Sequence, residues 1–240
     1  MTKPLVVITG ASSGIGAAIA RHFSSAGHPL LLLARRLEPM QAMNLPDSLC
    51  RQVDVTDPSA LANAIGEAEK TFGPTDLLVN NAGVMLLGQL ATQDAAEWKR
   101  MLDVNVLGLL HGTQAVLAAM CERGAGTILN ISSIAGKKSF PNHAAYVGSK
   151  FAASAISENL REEVADSGVR VMAIHPGAVD TELLGHTTDP DIIEGYQQWK
   201  ASMGGVLHAD DIAAAALYMY QLPQHINIRD VTIAATRQPA

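Results

Sequence analysis

Short apolar runs alternate with longer stretches of helical periodicity along the whole chain. Residues 5–8, 30–34, 49–53, 77–79, 127–131, 170–174 and 226–233 are brief, mostly apolar and bounded by polar or glycine-rich turns, the mark of strands buried on both faces. Between them lie segments with helical spacing and recognisable ends. One spans 17–26 and stops at Gly27. A second opens at Asp57-Pro58 and reaches about Phe72. A third, capped by Thr92 or Asp94, runs to Cys121, a fourth covers 145–166, and a fifth covers 210–220 before Pro223. Residues 183–205 are polar and glycine-punctuated with a short helical patch at 192–200, an insertion of a length suited to a lid. Strand and helix in alternation predict an α/β fold: one parallel sheet, doubly wound, with helices on both faces.

Composition narrows the classes of function. The chain has 240 residues, 48% of them hydrophobic, enough for one domain with a sizeable core. Net charge is -6 and no basic run exceeds a pair, which excludes a nucleic-acid surface. The first apolar run is too short for a signal segment or a membrane span. Cys50 and Cys121 lack metal or redox spacing and read as small core residues of a reducing, cytoplasmic compartment. No His, Cys, Asp or Glu grouping has zinc spacing, so no metal is expected.

The first strand runs into T-G-A-S-S-G-I-G, residues 9–16, and then into a helix. In that context Gly10, Gly14 and Gly16 let backbone approach a pyrophosphate. Ser12, Ser13 and Ile15 bring the unpaired N–H groups of a helix start. Arg35 and Arg36 end the second strand, where an acidic residue would hold a ribose 2′-hydroxyl and an arginine accommodates a 2′-phosphate. The other reading is a solvated basic turn. Asp54-Val55 ends the third strand, where the acid caps a loop or meets an adenine. Asn81, Ala82 and Gly83 follow the fourth strand as a turn too small to block a cofactor. Asn105 is a lone amide in V-N-V-L-G-L-L; it either bonds backbone or holds a water. Gly108 and Gly112 imply close packing or a local break in that helix.

The chemistry centres on residues 130–150. Tyr146 and Lys150 are four apart, hence one turn apart on one helix face. An ammonium beside a phenol favours the phenolate, so this spacing predicts a tyrosine pKa drawn down toward working pH. Such a tyrosine exchanges a proton with a carbonyl or alcohol oxygen. Ser133, just past the fifth strand, supplies a hydroxyl to the same oxygen. Pro176, Gly177, Val179 and Thr181 follow the sixth strand and can face the cofactor from the other side.

Taken together these motifs resemble a classical short-chain dehydrogenase/reductase over essentially the whole length. The resemblance implies a Rossmann-type seven-stranded sheet in the order 3-2-1-4-5-6-7 and a homotetramer. It implies Asn105, Ser133, Tyr146 and Lys150 as the catalytic set, with Tyr146 and Lys150 also touching the cofactor. The serine thirteen before the tyrosine is Ser133, not Ser132. The tail L-P-x-H-I-N-I-R-D-V, residues 222–231, resembles the NADP-dependent branch that holds 3-hydroxy acid dehydrogenases and clavulaldehyde reductase. NADP(H) is the implied cofactor, and a small or medium carbonyl or alcohol, with a 3-hydroxy acid foremost, the implied substrate. Lys137, Lys138 and His143 are candidate contacts for its carboxylate. The competing readings are a non-catalytic NADP-sensing protein, a 3-ketoacyl-carrier-protein reductase, and a nucleotide-sugar epimerase, which would need a longer substrate domain.

Overall fold

The computed structural model describes residues 3–239. Seven strands form one parallel sheet: β1 (Leu5–Thr9), β2 (Leu30–Ala34), β3 (Ser48–Gln52), β4 (Thr75–Asn80), β5 (Gly126–Ile131), β6 (Val169–Pro176) and β7 (Asp230–Ile233). Their order is β3-β2-β1-β4-β5-β6-β7, and every neighbouring pair is parallel. The helices are α1 (Gly14–Ser25), α2 (Glu38–Ala42), α3 (Pro58–Phe72), α4 (Ala95–Leu102), α5 (Gly108–Arg123), α6 (Ala144–Glu163), α7 (Pro190–Ser202) and α8 (Ala209–Gln221).

The central strands read as unbroken apolar runs because alternate residues enter two separate cores. Val6, Ile8, Leu30, Leu32, Leu77 and Val79 face α1 and α8. Leu5, Val7, Leu31, Leu33 and Leu78 face α3, α5 and the end of α6. Burying each such side chain contributes roughly 1.5–3 kcal/mol. The chain winds outward from β1 to β3, then returns to lay β4 on the other side of β1. That reversal leaves a crevice beyond the carboxyl ends of β1 and β4.

Two local expectations need correction, and one short helix went unpredicted. The last strand begins at Asp230 rather than 226, because the Arg170 guanidinium takes the carbonyls of Leu222 and Ile226 and holds that stretch out of the ladder. The short helix α2, with a proline in its first turn, has too few residues to show a period. The helix expected from 94 to 121 is broken by a π turn at Asp103–Leu107. Just beyond it, a Cβ on Gly108 would lie 2.6 Å from Val55 Cγ2, and one on Gly112 would lie 2.5 Å from Asn80 Oδ1.

Residues Ala95–Arg123 are long and apolar enough to cross a membrane by composition, with a window of mean hydropathy 1.4. Here α5 packs on α3 and on β4 and β5, so the segment is a core helix with one open face. Cys50 and Cys121 are free and half-buried, packed against the cores on opposite sides of the sheet.

Candidate active site

The carboxyl ends of β1, β4, β5 and β6 open into one cavity of about 1000 Å³. At its floor is the turn after β1. Gly10 (φ +66°) and Gly14 (φ +52°) are left-handed, a conformation that strains other residues. A Cβ on Gly10 would also meet Ala82 Cα and Asn81 Nδ2 at 2.8 Å. Asn81 Nδ2 donates to the carbonyls of Thr9 and Gly10, and the Asn81 and Ala82 amides donate to Thr9 Oγ1. Ser12, Ser13, Gly14 and Ile15 line the cavity, and no side chain caps α1. Its first N–H groups are therefore available to an anion. Gly16 does not reach the wall, contrary to expectation. A Cβ there would sit 2.3 Å from the Gly10 carbonyl, so its smallness serves helix-to-turn packing.

Arg35 and Arg36 are exposed on the wall at the end of β2. Arg36 Nη2 donates to Ser13 Oγ at 2.9 Å and to Glu182 Oε2 at 3.1 Å. The sequence reading missed Glu182, whose short 3₁₀ turn at Glu182–His186 meets the arginine only in the fold. Asp54 caps its loop, accepting from the Thr56 amide and hydroxyl, and with Val55 it lines the cavity. Ala82 and Gly83 line it from the turn after β4, and Pro176, Gly177, Val179 and Thr181 from beyond β6.

Opposite the glycine turn, β5 and α6 bring Ser133, Tyr146 and Lys150 together on the cavity wall. Ser132 turns its hydroxyl away, to the Lys150 carbonyl and Ser154 Oγ. Ser133 lines the cavity beside Tyr146, and its hydroxyl accepts from the Ala135 amide. Tyr146 is 5% exposed and Lys150 6%. Burial pushes the Tyr146 pKa up, and the Ser133 hydroxyl only partly offsets this. The expected fall is thus reversed: a desolvated phenol holds its proton, while the Lys150 ammonium lies 5.9 Å from the ring centroid and donates to the Ile131 carbonyl at 3.0 Å. Burial also lowers the Lys150 pKa to about 8.

The π turn carries Asn105 inward. Its Nδ2 donates to the Val84 carbonyl and Ser149 Oγ, and its Oδ1 accepts from the Val84 amide, the backbone bonding that was one of its two readings. Beside Asn105 and Lys150 lies a second cavity of about 10 Å³, close to the size one water needs. The turn after β5 is tied from below. His175 Nδ1 donates to the Ser133 carbonyl at 3.2 Å, His175 Nε2 lies 2.9 Å from Asp230 Oδ2, and Asp230 Oδ1 accepts from Lys137.

Leu183, Leu184, Ile192 and Tyr196 pack over Tyr146 and the 84–87 segment. Lys137 and Lys138, expected near a substrate carboxylate, are not on the cavity wall. Lys137 is held by Asp230, and Lys138 Nζ sits 4.9 Å from the Phe140 ring centroid. Of the three candidates only His143 lines the cavity.

The family model for short chain dehydrogenase matches residues 4–191. A glycine betaine reductase of Emericella nidulans is 36% identical across 100% of this chain, which spans 19% of that protein's length. An uncharacterized oxidoreductase of Staphylococcus saprophyticus is 37% identical, covering 98% of this chain and 96% of its own. Among solved structures, the closed form of serine dehydrogenase complexed with NADP+ superposes with a TM-score of 0.92 at 30% identity, covering 98% of this chain and 96% of the other.

Proposed function

The chain belongs to the short chain dehydrogenase family, and on that premise we propose that it is an NADP(H)-dependent oxidoreductase interconverting a small or medium carbonyl compound and its alcohol. The residues present fit the cofactor. Two left-handed glycines and an uncapped helix start suit its pyrophosphate, and Arg35 and Arg36 suit a 2′-phosphate. Bound NADPH supplies the hydride. Tyr146 donates its phenolic proton to the carbonyl oxygen as that oxygen takes the C=O electron pair. Ser133 orients the oxygen with a second hydrogen bond. Lys150 holds cofactor hydroxyls and resupplies the proton, and Asn105 fixes the backbone around it. Residues 183–205 act as a lid that excludes water.

The observation that carries this reading is the buried phenol of Tyr146 beside Ser133 and Lys150 on the cavity into which the glycine turn opens. The test is a panel of carbonyls with NADPH and of alcohols with NADP+, followed by nicotinamide absorbance. Turnover of at least one class is expected; none across the panel would contradict the reading.

Similarity to serine dehydrogenase favours a 3-hydroxy acid as the oxidative substrate. The fungal relative's name favours a trimethylammonium compound. We place the protein in the cytoplasm on its two unpaired thiols, and propose a homotetramer on the exposed Leu102, Leu107, Leu110 and Phe151.

A further inference from the structure

The substrate end of the cavity is walled by rings. The chain has four Phe, four Tyr and two Trp. Four of these ten, Phe140, Tyr146, Tyr196 and Trp199, line this one cavity together with His143. Phe140, His143, Tyr196 and Trp199 close a circuit, with successive centroids 5.6, 6.2, 5.2 and 6.3 Å apart. Each centroid is thus within 6.3 Å of its neighbours in the circuit, comparable to the ~6 Å over which a ring face attracts a cation. Tyr196 and Trp199 are three apart in α7 and so share a helix face. The circuit adjoins the proton donor, since the His143 and Tyr146 centroids are 6.2 Å apart.

Asp189 and Asp191, at the start of α7, line the same cavity, Asp189 with its carboxylate capping the helix. His143 is kept neutral by burial, with Nδ1 against the Pro141 carbonyl. Lys200 also lines the cavity, and its ammonium is bound to Asp180 at 3.2 Å. Lys138 approaches Phe140 from outside the wall. Aliphatic side chains would suffice to bury a neutral aliphatic body; ring faces add attraction for a positive one.

We infer that this circuit is an aromatic cage for a quaternary ammonium group, so that the substrate is a short aldehyde, or its alcohol, with a trimethylammonium head. This rests on the carbonyl-reductase reading of the same site. The hydride adds to the aldehyde carbon, the C=O electron pair moves to oxygen, and oxygen takes the Tyr146 proton. The products are the ammonium alcohol and NADP+.

Two pairs of compounds alike in shape test the charge alone. The first pair is 2-(trimethylammonio)ethanol and 3,3-dimethylbutan-1-ol, whose binding to protein saturated with NADP+ is read by calorimetry. The second is trimethylammonioacetaldehyde and 3,3-dimethylbutanal, compared by kcat/KM with NADPH. In each pair the cation is expected to win at least fivefold, and Trp199→Leu and Tyr196→Leu are each expected to bring the ratio toward one. A wild-type ratio below fivefold, or a ratio that both variants leave intact, overturns the cage. If neither pair is handled while a 3-hydroxy acid is oxidised, the cage falls and the carbonyl reading stands. If no carbonyl or alcohol of any kind reacts, both fall.

Discussion

At the scale of single residues, Tyr146 and Lys150 are both buried where an ionised group is costly. Their spacing, and so their shared helix face, was legible in the sequence. The direction of the tyrosine's shift was not, because desolvation depends on the elements that close over it, chiefly the 84–87 segment and α7. A protonated phenol is the form needed to reduce a carbonyl. Burial of the Lys150 ammonium opposes folding. Its folded pKa of about 8 lies below the ordinary 10.5. Near pH 7 the ammonium is charged in both folded and unfolded chains, and its burial costs on the order of 3 kcal/mol. That penalty is relieved only as pH rises from about 8 toward 10.5. Lys150→Met should therefore raise Tm by several degrees at pH 7, and the gain should shrink by pH 10, while turnover is lost. A lower Tm in the variant at pH 7 would show that the bond to the Ile131 carbonyl outweighs the burial cost.

At the scale of elements, the glycine turn was readable because its backbone excludes side chains at Gly10 and Gly14 whatever surrounds it. The π turn at Asp103–Leu107 was not readable, since Asn105 reaches its partners only through contacts with Val84 and Ser149. Nor was the aromatic circuit, whose rings come from the turn before α6 and from α7, some fifty residues later in the chain. The turn after β2 carries a prediction of its own. Arg35 and Arg36 make no bond to an acid other than the exposed pair between Arg36 and Glu182 among the described residues, and an exposed pair is worth little. Both guanidiniums can therefore turn to a 2′-phosphate, and bonds to a charged group contribute ~1.5–3 kcal/mol. NADPH should bind at least tenfold more tightly than NADH, and Arg35→Asp should erase that preference in a fluorescence titration. Equal affinities in the wild type would make the arginines a solvated turn.

At the scale of the whole molecule, the alternation of strands and helices was enough for a parallel sheet with two covered faces. The strand order came only with the family resemblance, since periodicity does not say which strands are neighbours. The fold leaves one apolar face unpartnered: Leu102, Leu107 and Leu110 on the helix through α4 and α5, and Phe151 on α6, are 39 to 46% exposed. This face suits a symmetric contact with a second copy, and light scattering at micromolar concentration should give a mass at least twice the monomer's; a monomer mass would contradict it. Proton transfer from Tyr146 to a substrate oxygen is tested by the turnover and NADPH affinity of Tyr146→Phe, which removes one oxygen and leaves the ring. Turnover should fall by ~10²–10⁴ with NADPH affinity nearly unchanged, whereas a variant that still turns over near the wild-type rate would contradict the account.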